Sequence, residues 1–260
     1  MKLFLRLSFL GTAYNGYQVQ GDQPTVQREL TRACGELFGE HCDIVGCSRT
    51  DSGVHAKDFC VTVAKRGTDL LQTSIPLHRI PLALNAHLPE DISVREAAFV
   101  SGDFHPRYDV KYKEYVYRIY NSASRNPFEI NRAWFYPKHI DDAALADMQL
   151  AAQHFCGTHD FSSFMAQGAT VAHAVRTVTH ASVQRCGDVI EFRVAADGFL
   201  YNMVRIMTGT LIAVSEGKLT PDQIPQVIAA KDRARAGMTA PAHGLYLNSV
   251  VYESIPKETL

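Results

Sequence analysis

The residues best suited to chemistry lie in one short segment, residues 46–56, which reads Gly-Cys-Ser-Arg-Thr-Asp-Ser-Gly-Val-His-Ala. It carries a single carboxylate, Asp51, two residues after the guanidinium of Arg49. A carboxylate in a loop can serve as a nucleophile. An aspartate among serine and glycine residues is also a common turn residue that bonds to its own backbone. Both interpretations of Asp51 stay open on this segment alone.

A second charged candidate is Arg205, the one basic residue in the apolar segment 198–214. An unpaired charge in an apolar environment is costly, so the guanidinium needs a partner. Alternatively, the stem of Arg205 is buried and its head reaches water. Tyr115 and Tyr117 share one face of a predicted strand and can serve as flat stacking surfaces or as aromatic residues of the sheet core.

Further residues could suggest acid/base or metal chemistry, and we predict structural hydrogen bonds for them instead: His55, Asp58, His105 and His243. The six cysteines include no Cys-x-x-Cys pair, which argues against a thiolate metal site. The chain also lacks a G-x-G-x-x-G segment and a phosphate-binding P-loop. We therefore predict neither a cofactor nor a metal.

The elements that must position these residues are readable in the first part of the chain. Alternating apolar residues predict a strand over Leu3–Phe9, and residues 59–63 predict another strand just after the Asp51 segment. Thr25 is a suitable cap for a helix whose apolar stripe begins at Val26 and which ends at Gly39.

The second part begins near Phe104 in our interpretation. Asp141 can cap a helix, and strands are expected around residues 175–183 and 189–194. Residues 198–214 are apolar on nearly all sides, which predicts a buried helix. A helix opening at Thr220 or Asp222 and a closing strand over residues 245–252 complete the pattern.

This order of elements predicts an α+β fold of two related mixed units, with antiparallel sheets, helices packed on one face and the active-site cleft between the units. The expected units are 1–103, which carries the Asp51 loop, and 104–260, which carries Tyr115 and Arg205. The opening residues alternate with charges, and no apolar run is long enough to span a bilayer. We expect a cytoplasmic protein with reduced thiols and no membrane contact.

Several blocks together resemble the TruA-type tRNA pseudouridine synthases. The resemblance rests on Arg-Thr-Asp-Ser-Gly-Val-His-Ala at residues 49–56 and on matching blocks in the same order along nearly the whole chain. These blocks are residues 11–18, 25–27, 84–89 with 91–92, 104–108, 113–117, 160–164, 198–205, 239–242 and 244–245. The departures are small: Tyr17 stands where the family often has Trp, and Cys47 and Ser48 replace more usual small residues.

The resemblance implies an isomerase that converts uridine to pseudouridine at positions 38 to 40 of the tRNA anticodon stem-loop, without a cofactor. It implies that Asp51 is the nucleophile, that Arg205 lies against it and keeps it ionised, and that Tyr115 packs on the target base. Arg49 is suited to fill the space left by the flipped uridine, with a plain ion pair or phosphate contact as the alternative. It also implies a homodimer with one composite tRNA surface.

The net charge of −1 requires that any RNA-binding patch be local. Candidates are the basic and aromatic stretch 107–113, the group Lys231, Arg233 and Arg235, and Lys2 with Arg6. A solvated charged surface is the alternative for each of them. Two other functions are weighed against the enzyme: a non-catalytic tRNA-binding or chaperone module on the same fold, and a metal- or thiol-dependent hydrolase, which the His and Cys spacing does not support.

Overall fold

The computed structural model describes residues 1–168, 173–253 and 255. They form two compact units. Unit 1 contains Met1–Lys111 and the described residues from Leu247 onward, and unit 2 contains Tyr112–Tyr246. This division differs from the expected 1–103 and 104–260, mainly because the closing strand returns to unit 1. A periodic pattern predicts that a strand exists, but it does not tell which sheet the strand joins.

Unit 1 is built on antiparallel strands: β1 (Lys2–Phe9), β2 (Cys42–Gly46), β3 (His55–Lys65) and β4 (Ile92–Val100). Strand β1 pairs with β4 on one side and with β3 on the other, and β2 also pairs with β3. The predicted strands over Leu3–Phe9 and 59–63 are confirmed. Since β3 begins at His55, the Asp51 segment leads directly into the sheet.

Two helices belong to unit 1: α1 (Val26–Phe38) and α2 (Ile80–Asn85). Helix α1 is confirmed with both of its predicted ends. The hydroxyl of Thr25 accepts the Arg28 backbone N–H, and Gly39 ends the helix with a left-handed φ of 69°.

Unit 2 contains the sheet order β5-β9-β8-β7, whose paired strands are all antiparallel. The strands are β5 (Val110–Tyr120), β6 (Trp134–Phe135), β7 (Gly157–Asp160), β8 (Val175–Cys186) and β9 (Val189–Ala196). The short β6 pairs with β5 in parallel. Strand β5 begins in unit 1 and continues into unit 2.

The α-helices among the described residues of unit 2 are α3 (Asp142–Gln153), α4 (Met203–Ser215) and α5 (Ile224–Ala230). The side chain of Asp141 caps α3 as predicted. The buried helix predicted over residues 198–214 begins five residues later, because Asn202 has a left-handed φ of 60° that no helical residue adopts. A short 3-10 turn at Pro221–Gln223 replaces the expected start of α5.

The final strand, β10 (Leu245–Tyr252), has the predicted bounds and passes from unit 2 into unit 1 after Tyr246. Within unit 1 it follows β3 in the sheet order. The predicted α+β class with antiparallel sheets is confirmed. Among the described residues, none of the helices is long and apolar enough to cross a membrane.

Candidate active site

The Asp51 segment forms a loop, residues 47–54, that connects β2 to β3 in unit 1. Its first residue is fixed to the strand that follows it. The Cys47 backbone N–H donates to the Cys60 carbonyl at 2.9 Å, and the Cys60 N–H donates to Cys47 Sγ at 3.4 Å. The loop is therefore closed at its base by two bonds to the interior of β3.

A second segment, residues 11–17, holds the loop from the side. The Tyr17 N–H donates to the Thr50 carbonyl at 3.2 Å, and the hydroxyl of Ser52 donates to the Tyr14 carbonyl at 3.3 Å. Gly16 has a φ of +83°, and a Cβ there would lie 2.5 Å from the Thr50 carbonyl oxygen. Position 16 therefore requires glycine for two reasons: its backbone is left-handed, and a side chain there would collide with the Thr50 carbonyl.

The backbone around Asp51 is a tight turn, in which the Val54 N–H donates to the Asp51 carbonyl at 3.2 Å. In a turn closed by the aspartate side chain, the N–H two residues later would bond to the carboxylate. That N–H belongs to Gly53, and it donates to the Tyr14 carbonyl at 3.4 Å. The Gly53 N–H therefore ties the loop to the segment 11–17, and Asp51 itself is half-buried.

The neighbours of Asp51 in the loop differ in exposure. Arg49 is exposed, whereas Thr50 is buried. The hydroxyls of Thr50 and Tyr17 are buried without a hydrogen-bond partner among the described residues. The ring centroids of Tyr17 and Phe59 are 4.4 Å apart, and both side chains are buried. Tyr17, which stands where the resembling family often has Trp, therefore fills a space in the core beneath the loop.

Two candidate acid/base residues of unit 1 make structural hydrogen bonds, as predicted. His55 is fully buried, and its Nδ1 accepts the Gly11 N–H at 2.9 Å. The carboxylate of Asp58 accepts bonds from Arg6 at 2.7 Å, Arg95 at 3.0 Å and the Val250 N–H at 2.9 Å. Asp58 therefore links strands rather than presenting a free carboxylate.

In unit 2, Tyr115 and Tyr117 lie on the same face of β5 and are both buried. Tyr117 donates from its hydroxyl to the Pro241 carbonyl at 2.6 Å, which supports the prediction that it is a core residue. Tyr115 contacts Phe199 edge to face, with ring centroids 4.9 Å apart. The two tyrosines thus have different neighbours despite their shared face.

Arg205 lies in the first turn of α4, where its neighbours are buried. Its Nε donates to the Ala240 carbonyl at 2.7 Å, and its Nη1 donates to Oδ1 of Asn202 at 2.7 Å. The Ala240 N–H returns a bond to the Arg205 carbonyl at 3.1 Å. The guanidinium is therefore oriented by protein groups.

The charge of Arg205 acts on two neighbouring side chains. The pKa of His243 is lowered, first by burial and then by the positive charge of Arg205. Burial raises the pKa of Tyr117 well above its usual range, and Arg205 opposes this rise. Unit 2 thus places a positive charge beside a neutral histidine and a protonated tyrosine.

Known proteins are similar in sequence to nearly the whole of this chain. Residues 151–253 match a family model described as tRNA pseudouridine synthase. A tRNA pseudouridine synthase A from Acetivibrio thermocellus is 44% identical over 248 residues, covering 95% of this chain and 98% of that protein. The chain belongs to the tRNA pseudouridine synthase A family. A second member, from Moorella thermoacetica, is 44% identical over 252 residues and covers 96% of this chain and 99% of its own length.

Membership in the tRNA pseudouridine synthase A family confirms the predicted family and the predicted enzyme class, an isomerase that makes pseudouridine. One solved structure, described as a Cbf5-Nop10-Gar1 complex, matches with a TM-score of 0.39 at 12% identity and covers 96% of this chain and 50% of that chain. A likeness at this TM-score supports no argument about this fold.

For this synthase, the four predicted site residues fall into two groups. Arg49 and Asp51 share the loop of unit 1, and Tyr115 and Arg205 belong to unit 2. The sequence had not suggested Asn202, Phe199 or the Ala240 carbonyl as partners of these residues. One signal in the sequence was Asn202 itself, because asparagine tolerates a left-handed backbone and stands here among apolar residues.

The cysteines of this synthase are mostly buried thiols. None of the six cysteines is in a disulfide, and four of them are buried. Burial raises the pKa of Cys42 to about 11 and that of Cys34 further, which keeps both thiols protonated near neutral pH. The described residues hold no cluster of three His, Cys, Asp or Glu residues that could bind a metal ion.

The candidate basic groups differ in how far they are neutralised. Lys2 forms an ion pair with Asp69 at 2.9 Å, and Arg6 forms one with Asp58 at 2.7 Å. The positive charges of these two residues on β1 are therefore neutralised by neighbouring carboxylates. Lys231 pairs with Asp160 at 2.9 Å. Arg107 is exposed and lies over the ring of Tyr108.

Proposed function

We propose that this chain isomerises uridine to pseudouridine at positions 38 to 40 of the tRNA anticodon stem-loop, with Asp51 as the nucleophile. The observation that carries the proposal is the loop of residues 47–54. Its backbone is fixed by bonds to β3 and to residues 11–17, so the half-buried Asp51 is held at a defined position in the loop. Family membership supplies the reaction type.

The reaction breaks the bond between N1 of the base and C1′ of the sugar and joins C1′ to C5. C5 loses its proton, and N1 gains one, so the reaction needs no oxidant and no external group. The Asp51 carboxylate must be ionised to act as a nucleophile. A fixed backbone lowers the entropic cost of bringing this carboxylate to the target nucleotide.

Arg205 has the role of keeping Asp51 ionised in this proposal, because a nearby positive charge favours the charged form of a carboxyl group. The bonds that Arg205 donates to Asn202 Oδ1 and to the Ala240 carbonyl support that role, since they hold the guanidinium in one orientation. Arginine stays protonated at all physiological pH values, so its charge does not depend on the surroundings.

Tyr115 and Arg49 bind the substrate in this proposal. The ring of Tyr115 offers a flat face on which the target base can pack, and its edge-to-face contact with Phe199 limits rotation of the ring. A uridine within a folded stem-loop is stacked and must be flipped out before it can react. Arg49 is exposed and can occupy the space that the uridine leaves, because a guanidinium both stacks on bases and bonds to phosphates.

We also propose that the enzyme is a cytoplasmic homodimer. The proposal rests on the net charge of −1, which a single chain must overcome to bind a polyanion. Two copies would double any local basic surface without changing the sequence. Sedimentation of the purified chain distinguishes one copy from two.

The deciding experiment compares Asp51→Asn with Asp22→Asn, an exposed aspartate outside the 47–54 loop. Both exchanges remove one negative charge and keep the side-chain shape. We expect Asp51→Asn to abolish pseudouridine formation in an anticodon stem-loop transcript while its affinity for that RNA stays within about twofold. Asp22→Asn should retain wild-type turnover.

Each other outcome has a defined meaning. Product formed by Asp51→Asn would overturn the nucleophile assignment. RNA binding by the wild-type chain without any pseudouridine would favour the alternative, a non-catalytic tRNA-binding or chaperone module. Mapping the product within the transcript tests positions 38 to 40 separately from the reaction itself.

A further inference from the structure

The connection between β4 and β5 presents an exposed aromatic ring. Tyr108 is 74% exposed, although a tyrosine ring normally gains free energy from burial. The ring of His105 lies against it, with centroids 4.3 Å apart and an angle of 32° between the planes. The guanidinium carbon of Arg107 lies 5.9 Å from the Tyr108 ring centroid. One aromatic ring is thus backed by a second ring and flanked by a cation.

The turn that carries this cluster is firmly anchored in unit 1. Phe104 and Pro106 are buried, and Phe104 contacts Phe4 and Tyr252 at ring distances of 5.9 and 5.3 Å. The Tyr252 hydroxyl donates to the Pro106 carbonyl at 2.6 Å. Alternate residues therefore point into the core, and the residues between them point outward.

Local hydrogen bonds fix the outward side as well. The Tyr108 N–H donates to the His105 carbonyl at 3.2 Å, and the His105 N–H donates to the Asp109 carboxylate at 2.8 Å. The Arg107 N–H donates to Nδ1 of His105 at 3.2 Å. His105 is therefore restrained while it backs the ring, which keeps Tyr108 from collapsing onto the surface and losing its exposure.

We infer that Tyr108, backed by His105 and accompanied by Arg107, is a stacking platform for an unpaired nucleotide of the RNA substrate. An exposed ring offers a base a π-face irrespective of its identity, and the neighbouring guanidinium can bond to the adjoining phosphate. The anchored turn lowers the entropic cost of stacking, because the ring is already held in place. This inference rests on the proposed function and adds a contact beyond Asp51, Arg205, Tyr115 and Arg49.

RNA fits this cluster better than a protein partner does. The exposed residues around Tyr108 are charged, so the surface is not a broad apolar patch of the kind that binds a protein. Asp109 already accepts the His105 N–H, and Arg107 beside the ring supplies the positive charge that a phosphate needs. Stacking needs only one open ring face and one phosphate contact, and the cluster supplies both.

The test uses the full chain and a fluorescein-labelled anticodon stem-loop RNA, with fluorescence anisotropy as the readout of affinity. We expect Tyr108→Ala to weaken binding by about fivefold to a hundredfold, as loss of one base–aromatic stack does, and Tyr108→Phe to stay within about threefold of wild type. The matched control is Phe128→Ala, which removes another exposed ring, 86% exposed, and should leave binding unchanged.

Two further readouts distinguish stacking from a general surface effect. Arg107→Gln should reduce the slope of log affinity against log salt concentration by about one. Tyr108→Trp adds a second indole to a chain whose only tryptophan is Trp134, and its fluorescence should be quenched by RNA in excess of any wild-type change. Equal affinity of wild type and Tyr108→Ala, or quenching no greater than that of wild type, would overturn the inference.

The wild-type product assay separates this inference from the proposed function. If the wild type makes pseudouridine and Tyr108→Ala binds RNA as tightly, the platform fails and the proposed function stands. If the wild type makes no pseudouridine but loses RNA affinity on Tyr108→Ala, the platform stands and the proposed reaction fails.

Discussion

The guanidinium of Arg205 donates from Nη1 to Oδ1 of Asn202, 2.7 Å away, although Asn202 has a left-handed backbone with φ 60°. The left-handed conformation ends the irregular segment before α4 and places the amide three residues before the arginine that it orients. Asparagine is one of the few residues other than glycine that tolerate this backbone. One residue thus sets both the start of the helix and the direction of the charge.

We predict that Asn202→Gly lowers turnover by about tenfold to a hundredfold, because a hydrogen bond to a charged group contributes roughly 1.5–3 kcal/mol. Glycine keeps the left-handed backbone, so the loss would come from the missing acceptor. Asn202→Asp keeps the acceptor but adds a negative charge beside Arg205 that offsets its positive charge, so it should also lose turnover. Single-turnover rates at saturating RNA make the comparison, and equal rates for all three proteins would refute the orienting role.

The pKa of His243 should report on the charge of Arg205. Burial comes first and Arg205 second in lowering this pKa below about 6.5. We predict that Arg205→Met raises the pKa of His243 and that Arg205→Lys, which keeps the charge, changes it less. NMR titration of the His243 ring measures this directly, and an unchanged pKa in Arg205→Met would contradict the electrostatic contact.

The same shift has a consequence for stability. Between the lowered pKa of the folded state and about 6.5, the unfolded chain binds more protons at His243 than the folded chain does. The contribution of His243 to the free energy of unfolding is therefore complete above that window and decreases as pH falls through it. Arg205→Met should flatten this dependence, as measured by denaturant unfolding at a series of pH values.

Gly16 offers a test of the loop's side support. We predict that Gly16→Ala destabilises the protein by at least about 1 kcal/mol more than Gly21→Ala, since overpacking typically costs that much. Both glycines have positive φ, but a Cβ at Gly16 would meet the Thr50 carbonyl at 2.5 Å, whereas nothing lies within 4 Å at Gly21. Folded Gly16→Ala should also lose turnover. Equal unfolding free energies for the two variants would show that the loop yields freely.

Asp58 should matter for stability and not for chemistry. Its side chain is 13% exposed and pairs with Arg6 and Arg95. We predict that Asp58→Ala lowers the free energy of unfolding by about 3 kcal/mol, because the largely buried Arg6 loses its ion-pair partner and the Val250 N–H loses its acceptor. Glu253→Ala, which removes an exposed partner of Lys111, should change the free energy of unfolding far less, because solvent screens this ion pair. Turnover per folded molecule should survive both, in contrast to Asp51→Asn.

The sequence predicted best the elements whose signals are local. A capping residue acts on backbone groups within about four residues of it. Helix α1 begins after Thr25 and ends at Gly39, and α3 begins after Asp141, as these residues predicted. The start of α4 escaped prediction because apolar residues lie on both sides of Asn202, and one polar residue within such a run does not mark a helix boundary. Periodicity describes which side chains are apolar and says nothing of a left-handed backbone.

The residues of the candidate site also differ in how well the sequence predicted them. The loop carrying Asp51 was recognisable from residue types alone, since serine, glycine and aspartate rarely belong to a strand interior. The partners of Arg205 were not, because Ala240 lies 35 residues away and contributes only its carbonyl oxygen. Backbone groups occur at every position, so sequence cannot tell which of them accepts a bond from a distant side chain.

The route of β10 has a consequence for biosynthesis. Strand β10 gives unit 1 the Val250 N–H that bonds to Asp58 and the Tyr252 ring that packs on Phe4. Residues 112–246 are translated between the bulk of unit 1 and these groups. In a nascent chain on the ribosome, the sheet of unit 1 therefore lacks β10 until all of unit 2 has been translated. The strand edge that β10 later covers stays unpaired during this time, and an unpaired edge favours association with other chains.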